Sequence, residues 1–400
     1  MDKNYINSVS EQVFQLAEQG EGQITRSFDF EKLEKSIPLK TAANIRRIIM
    51  TGCGDSYSAA GAMKKAVSEL SGITKCNTPD IIDFCYYYSD QKIFLGCKPS
   101  EVLVISISFS GGSQRVVDAL ARAKKAGVHA LLITGKPDSV CGKAAELIFN
   151  VDLPEGCNTP GLRSYFASLS ALAAIGAYIG TARGYIGEGE FERAGKDAGL
   201  YVEKFFKDID SVNDAMFDLA LKWKDLKHFE IIGDGNEGYS AQFVEQKFIE
   251  CSGVYCDHTT SEEFAHISFF QRNPSGYGMV VLINKDDPSL GRMADTVRGL
   301  RCQHRPTLVV TDAEKEAFDM RNDAIDISKN FYGSAEIGYN SYENAGDISI
   351  VHTPTPPKQW MSPFVDFIPG SLLAGYYAAV NEIMFFGGRY DFRAQKWLDR

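Results

Sequence analysis

Three groups of residues in this chain have types and spacings that could do chemistry. The first is Ser108-Phe109-Ser110-Gly111-Gly112-Ser113. It follows an apolar run, Val102–Ile107, and precedes a segment in which Val116, Val117 and Leu120 share one helical face. A strand, a serine-glycine loop and a helix in that order place hydroxyls and unpaired N–H groups at the positive end of the helix. That arrangement suits a phosphate or another small anion. A serine-rich helix cap that binds nothing has the same local pattern.

The second group is Thr51-Gly52-Cys53-Gly54-Asp55-Ser56-Tyr57-Ser58, between Ile45–Met50 and the helical stretch Ala59–Leu70. Its glycines permit a tight turn and close backbone approach. A dinucleotide fingerprint needs a third glycine where Tyr57 stands, so no nicotinamide cofactor is expected. No Asp-x-x-His partner near the C-terminus supports a nucleophilic serine in Gly54-Asp55-Ser56. The third group is Glu250 and His266. A helix predicted over Tyr239–Cys251 puts Phe243, Phe248 and Ile249 around a buried face and Glu250 at its end. A carboxyl near a helix's negative end holds its proton more tightly, which suits proton transfer. A solvated glutamate and a surface histidine are the plainer readings. Cys251, Cys256, His258 and His266 lack the paired spacing of a zinc site, so no metal is expected.

The elements that must position these groups alternate strand and helix. Residues 1–40 have helical spacing. Strands are predicted at Ile45–Met50, Ile81–Tyr88, Val102–Ile107, Ala130–Thr134 and Leu147–Val151, with a strongly apolar helix at Ser164–Ile179. Glu188–Lys227 is almost continuously helical in pattern. Strands then recur at Phe229–Ile232, Met279–Asn284 and Thr307–Thr311, with a helix at Ser289–Arg298. Gly52/Gly54 and Gly233/Gly235 are 181 residues apart. Val102–Ile107 and Met279–Asn284 are 177 apart, as are Leu131–Thr134 and Leu308–Thr311. Three matched strand ends in one order argue for α/β architecture: two doubly wound parallel-sheet domains in tandem. The expected boundaries are a helical segment at 1–40, a first domain at 41–185, a connecting helix at 186–227 and a second domain at 228–400. Phe331–Met361, rich in Tyr, Asn, Gly and Pro, is expected to be a loop-heavy insertion. The second copy carries Asn284-Lys285-Asp286-Asp287-Pro288 in place of the serine loop, which is unsuited to phosphate.

Composition bounds the function. The net charge of −10 over 400 residues argues against a nucleic-acid partner. Nine scattered cysteines without a C-x-x-C pair point to reduced thiols and a cytoplasmic location. The longest apolar stretch, Phe364–Phe386, is broken by Asp366, Pro369, Asn381 and Glu382. It reads as a strand end and a core helix rather than a membrane span.

These residues resemble the tandem sugar-isomerase (SIS) domain family, which includes fructosamine-6-phosphate deglycases and the isomerase half of glucosamine-6-phosphate synthase. Cys53-Gly54-Asp55-Ser56 is similar to the family's C-G-[TD]-S turn. Ile107–Ser113 is similar to its I-S-x-S-G-x-[ST] phosphate loop. Glu250 precedes His266 by 16 residues, the spacing of the family's catalytic pair. The resemblance covers roughly Ile45 to the C-terminus and implies a flavodoxin-like fold for each copy. It implies that Gly54, Asp55, Ser56, Ser108, Phe109, Ser110 and Ser113 hold a sugar phosphate, with Glu155 of Pro154-Glu155 near the sugar. It further implies that His266 assists ring opening and that Glu250 moves a proton between C1 and C2. Neither metal nor organic cofactor is implied, and a homodimer or larger oligomer with shared sites is.

Two departures bear on the reaction. The chain starts Met1-Asp2-Lys3, with no cysteine after the initiator methionine, so glutamine-driven synthesis is not expected. Lys396, in Arg393-Ala394-Gln395-Lys396, stands where the synthase has the ring-opening lysine of its R-N-L-A-K tail, one residue short. The expected activity is a deglycase of fructosyl-amine 6-phosphates. An amino-sugar-phosphate deaminase or isomerase, or a non-catalytic sugar-phosphate sensor, is the alternative.

Overall fold

The computed structural model describes residues 6–320 and 346–387. The chain divides into two compact units. One takes residues 2–210 and 356–365, and the other takes 211–355 and 366–385.

The first unit opens with three helices, α1 (Ser8–Ser27), α2 (Phe30–Ser36) and α3 (Leu39–Asn44). Asn7 caps α1 by accepting from Val9 and Ser10 N–H. Next come β1 (Arg47–Gly52), α4 (Asp55–Ala62), α5 (Lys64–Ser71), β2 (Cys76–Asn77), α6 (Asp90–Phe94), β3 (Val102–Ile107), α7 (Gln114–Lys125), β4 (His129–Thr134), α8 (Val140–Ala144) and β5 (Leu147–Asn150). The unit closes with α9 (Leu162–Ala182) and α10 (Glu188–Phe206). Its five strands are parallel, in the order β2-β1-β3-β4-β5. β1 and β3 are buried along their whole length because helices cover both faces, which is why they are continuous apolar runs. Val104, Val116, Leu120 and Leu132 pack together on the α7 side.

The second unit repeats the plan. It runs α11 (Ile209–Trp223), β6 (His228–Gly233), α12 (Gly235–Ser252), β7 (Tyr255–Thr259), α13 (Ser261–His266), β8 (Tyr277–Leu282), α14 (Leu290–Cys302), β9 (Thr307–Thr311), β10 (Ile348–His352) and α15 (Phe367–Val380). The sheet is parallel, in the order β10-β9-β8-β6-β7. β6, β7, β8, β9 and β10 thus stand where β1, β2, β3, β4 and β5 stand in the first. The glycines that end β1 and β6 are equivalent too. A Cβ on Gly52 would lie 2.7 Å from the Ser56 Cβ, and one on Gly233 would lie 2.3 Å from the Glu237 carbonyl oxygen. Both sheets are α/β and doubly wound, as expected.

Several elements differ from expectation. Ile81–Tyr88 is helical, ending in a π turn at Asp83–Tyr87. The Asp80 carboxylate accepts from Ile82 and Asp83 N–H at 2.8 and 2.9 Å and starts that turn. Ile81, Phe84, Cys85 and Tyr88 are its buried face, at spacing i, i+3, i+4, i+7. The long helical pattern of 188–227 breaks at Lys207-Asp208 into α10 and α11, and the units divide between Asp210 and Ser211. The 331–361 stretch is not all loop. Residues 321–345 lie outside the described part, but Ile348–His352 forms β10, with Ile348 and Ile350 packed on the core. Residues Gln359–Phe364 form a 3-10 turn rather than a strand end. α15 has 14 residues, about 21 Å at 1.5 Å per residue and too short for a bilayer. Among the described helices only α9 has the length and apolarity of a span, and it is buried within its unit.

Candidate functional site

β1 and β3 are neighbours with Gly52 opposite Ile107, and the chain leaves them toward opposite sides of the sheet. The crevice beyond their C-terminal ends is the switch point where doubly wound sheets bind ligands. Both candidate loops meet there. Cys53 Sγ lies 3.6 Å from Ser113 Oγ. Burial pushes the Cys53 thiol up, opposed by the Ser113 hydroxyl and the Arg115 guanidinium.

The serine loop is a fixed turn. Gly111 has φ +65°, and a Cβ there would sit 2.0 Å from Ser139 Oγ. Gly111 N–H bonds the Ser108 carbonyl at 3.1 Å and its own carbonyl accepts from Cys141 N–H at 3.1 Å, so the turn is fixed from both sides. Ser113 caps α7 without using its hydroxyl on the helix. Among the described residues, the N–H groups of Ser110, Gly112, Ser113 and Gln114 have no hydrogen-bond partner. Those donors lie at the start of a twelve-residue helix, where the dipole adds positive charge. Ser110 is exposed, Ser113 half-buried and Ser108 buried. Phe109 is half-buried, its ring against Gly135.

Across the crevice Gly54, with φ +53°, precedes α4, and Ser56 is half-buried in the first helical turn. Asp55 points elsewhere. Its Oδ2 lies 2.9 Å from where a Cβ on Gly161 would sit, at the start of α9. Glu155 is exposed in the loop between β5 and α9. Buried Arg163 holds that loop, donating to the Pro154 carbonyl at 3.0 Å and to Gln19 Oε1 at 2.8 Å.

The other candidates belong to the second unit. Glu250 lies in the last turn of α12 and is half-buried, with Lys247 Nζ donating to its Oε2 at 2.5 Å. Lys247 is fully buried, its ammonium 4.5 Å from the centre of the Phe243 ring. Phe243 and Phe248 are buried as expected, but Ile249 is 44% exposed. Lys247 takes the inward position on that turn because its ammonium has both the ring and the carboxylate as partners. His266 is 68% exposed, its Nε2 2.8 Å from Glu262 Oε1. Lys396 lies outside the described residues.

The cysteine-histidine set does not gather into a metal site. Cys251 and Cys256 are buried thiols that burial pushes far up, while His266 sits at the surface. Glu245, Asp257 and His258 bring ligand atoms within 4.8 Å of one another. His258 Nδ1 is 2.5 Å from Glu245 Oε2, and that hydrogen bond raises the histidine's affinity for its proton. The group reads as an ion pair.

Sequence reading missed two kinds of residue. Thr51 and Ser106 are register partners directly beneath the loops, both fully buried with unpartnered hydroxyls. Hydroxyls inside two apolar strands were the available signal. At the matching place in the second unit, buried Asn284 donates to Glu237 Oε1 at 2.6 Å. A carboxylate occupies that switch point where the first unit has serines.

Comparison with known proteins gives this arrangement a family. Residues 98–179, from the approach to β3 into α9, match the SIS-domain model. The first unit thus contains an SIS-domain match, and the chain is similar to proteins that carry such domains. A glutamine–fructose-6-phosphate aminotransferase (isomerizing) of Streptococcus pneumoniae serotype 4 is 24% identical over 263 residues, 65% of this chain and 40% of its own length. One of Gluconobacter oxydans is 26% identical over 151 residues, 38% of this chain and 24% of that protein. The chain thus spans about two-fifths or less of these relatives. The C-terminal domain of glucosamine-fructose-6-phosphate aminotransferase from Francisella tularensis superposes with a TM-score of 0.74 at 15% identity, over 96% of this chain and 99% of that one. Glucosamine-6-phosphate deaminase from Thermotoga maritima gives 0.58 at 15% identity, over 91% and 95%. At such identity the structural likeness is one of fold. Both span this chain's two units.

Proposed function

We propose that the protein is a deglycase acting on a 6-phosphorylated fructosamine. The observation that carries this reading is the cradle at the β1/β3 switch point. Serine hydroxyls and four N–H groups without a partner lie there at the start of α7, a donor set that suits a phosphate. In support, the loop lies within the SIS-domain match, and the names of the curated relatives include fructose 6-phosphate.

In this reading Ser56, Ser108, Ser110 and Ser113 hold the phosphate, with Gly54 keeping the backbone close. Phe109 shapes one wall, Asp55 sits behind the turn toward Gly161, and Glu155 and Lys396 serve at the sugar end. His266 assists ring opening. Glu250 takes a proton from C1 of the open chain and returns it to C2 through an enolamine. The resulting C1 imine adds water and releases the amine, leaving glucose 6-phosphate. Lys247, beside Glu250, donates to its Oε2 and fixes the carboxylate in place for the first transfer. An oligomer with shared sites belongs to this reading, and nine free thiols fit a reducing cytoplasm.

A second reading is deamination of an amino-sugar 6-phosphate, favoured by the fold shared with the Thermotoga maritima deaminase. It uses the same proton transfer in the opposite direction. A product assay separates the readings. Glucose 6-phosphate and free amine from fructosyl-amine 6-phosphates is the expected result. Fructose 6-phosphate and ammonia from glucosamine 6-phosphate would replace it with the deaminase. Binding of either compound without product would make the protein a sensor.

A further inference from the structure

α13 has a buried side and an exposed side with different jobs. On the buried side, Ser261 is tied to the end of β6. Its N–H and hydroxyl donate to the two Asp234 carboxylate oxygens at 2.9 and 2.6 Å. Phe264 is 1% exposed, with the Arg305 guanidinium 5.2 Å from its ring centre. Thr260 caps the start by accepting from Glu263 N–H at 3.2 Å. The short helix is therefore a fixed platform. On its outer side stand Glu262 and His266, four residues apart, with the acid N-terminal, the better orientation for such a pair.

Glu262 is bound from two directions. Its Oε1 lies 2.8 Å from His266 Nε2, and its Oε2 lies 2.7 Å from Nε of Arg292 on α14. His266 first and Arg292 second hold the Glu262 carboxyl below its usual range, so it stays ionised. With Nε2–H donated to Glu262, Nδ1 is the nitrogen left facing outward.

We propose that Glu262, held by Arg292, is a positioning residue that orients His266 to open the sugar ring. This rests on the reading of His266 given above and adds the pair that sets its tautomer and angle. In the step, the anomeric hydroxyl loses its proton to solvent as the carbonyl forms. The C–O5 bond breaks with its electron pair going to O5, and O5 takes a proton from His266 Nδ1. Glu262 stabilises the imidazolium before the transfer, as a carboxylate behind a catalytic histidine does. Exposed pairs of this kind contribute little to folding, so the two contacts are free to serve geometry.

The test uses substrates that cannot cyclise. Fructosyl-glycine 6-phosphate forms its ring through O5, and its 5-deoxy analogue, with O6 held by the phosphate, stays open. Glu262→Gln and Arg292→Gln should lower kcat on the ring-forming substrate about tenfold or more with KM within about twofold. Both should match wild type on the 5-deoxy analogue, and Glu262→Asp should recover part of the loss. Wild-type kcat for Glu262→Gln on the ring-forming substrate overturns the proposal. So does an equal loss on both substrates. If His266→Asn itself retains wild-type kcat on the ring-forming substrate, the ring-opening role of His266 falls, and the positioning role with it.

Discussion

Cys53 Sγ and Ser113 Oγ lie 3.6 Å apart, bridging the loops that leave β1 and β3. That contact closes one side of a crevice whose floor is the Gly52–Ile107 register pair, with Thr51 and Ser106 one step below. No lysine or arginine stands in either loop. In the proposed reading the positive potential comes from backbone N–H groups and the start of α7, with the Arg115 guanidinium acting nearby, and it favours an anion small enough to reach those donors.

Ser113→Ala and Ser110→Ala should each raise KM for a hexose 6-phosphate substrate about tenfold, the cost of one hydrogen bond to a charged group. kcat should change less than about threefold, since the phosphate is held equally in ground and transition states. Steady-state kinetics on both variants checks this, and an unchanged KM in the double variant would remove the phosphate from this loop.

Gly111→Ala should cost about 1–3 kcal/mol from its positive φ alone. The clash with Ser139 Oγ adds to that, and the serine loop must shift to relieve it. Urea denaturation and substrate affinity should fall together. Loss of stability with unchanged affinity would mean the turn does not shape the site.

Asp366, at the start of α15, is buried. Burial first, and the Glu237 carboxylate second, push its carboxyl well above the usual range. The folded chain therefore holds this proton more tightly than the unfolded chain, whose aspartates titrate near about 4. Stability is lost as pH rises from that value toward the folded one. Asp366→Asn should be more stable than wild type at pH 8, and the gap should narrow toward pH 4. Parallel stability curves for the two proteins would contradict the assignment.

Much of the fold was legible because buried parallel strands are written as apolar runs. Val102–Ile107 and Thr307–Thr311 form strands with those same ends. Ile81–Tyr88 misled because its four inward residues, at helical spacing, lie among other apolar side chains. Edge strands such as Tyr255–Thr259 carry polar residues on one side and gave no run. At the site, loop chemistry is local and could be read, whereas partners from afar could not. Lys247 beneath Glu250 is buried by partners that its local sequence does not mark. Arg292 lies 30 residues from the glutamate it holds, so only folding brings the pair together.

The role of Glu250 is tested most directly by Glu250→Gln, which keeps the shape and the contact with Lys247 but cannot accept the C1 proton. Turnover of a fructosyl-amine 6-phosphate should fall by about 10²–10⁴-fold, while calorimetric affinity for the same compound stays within about threefold of wild type. Wild-type turnover by this variant would contradict the account.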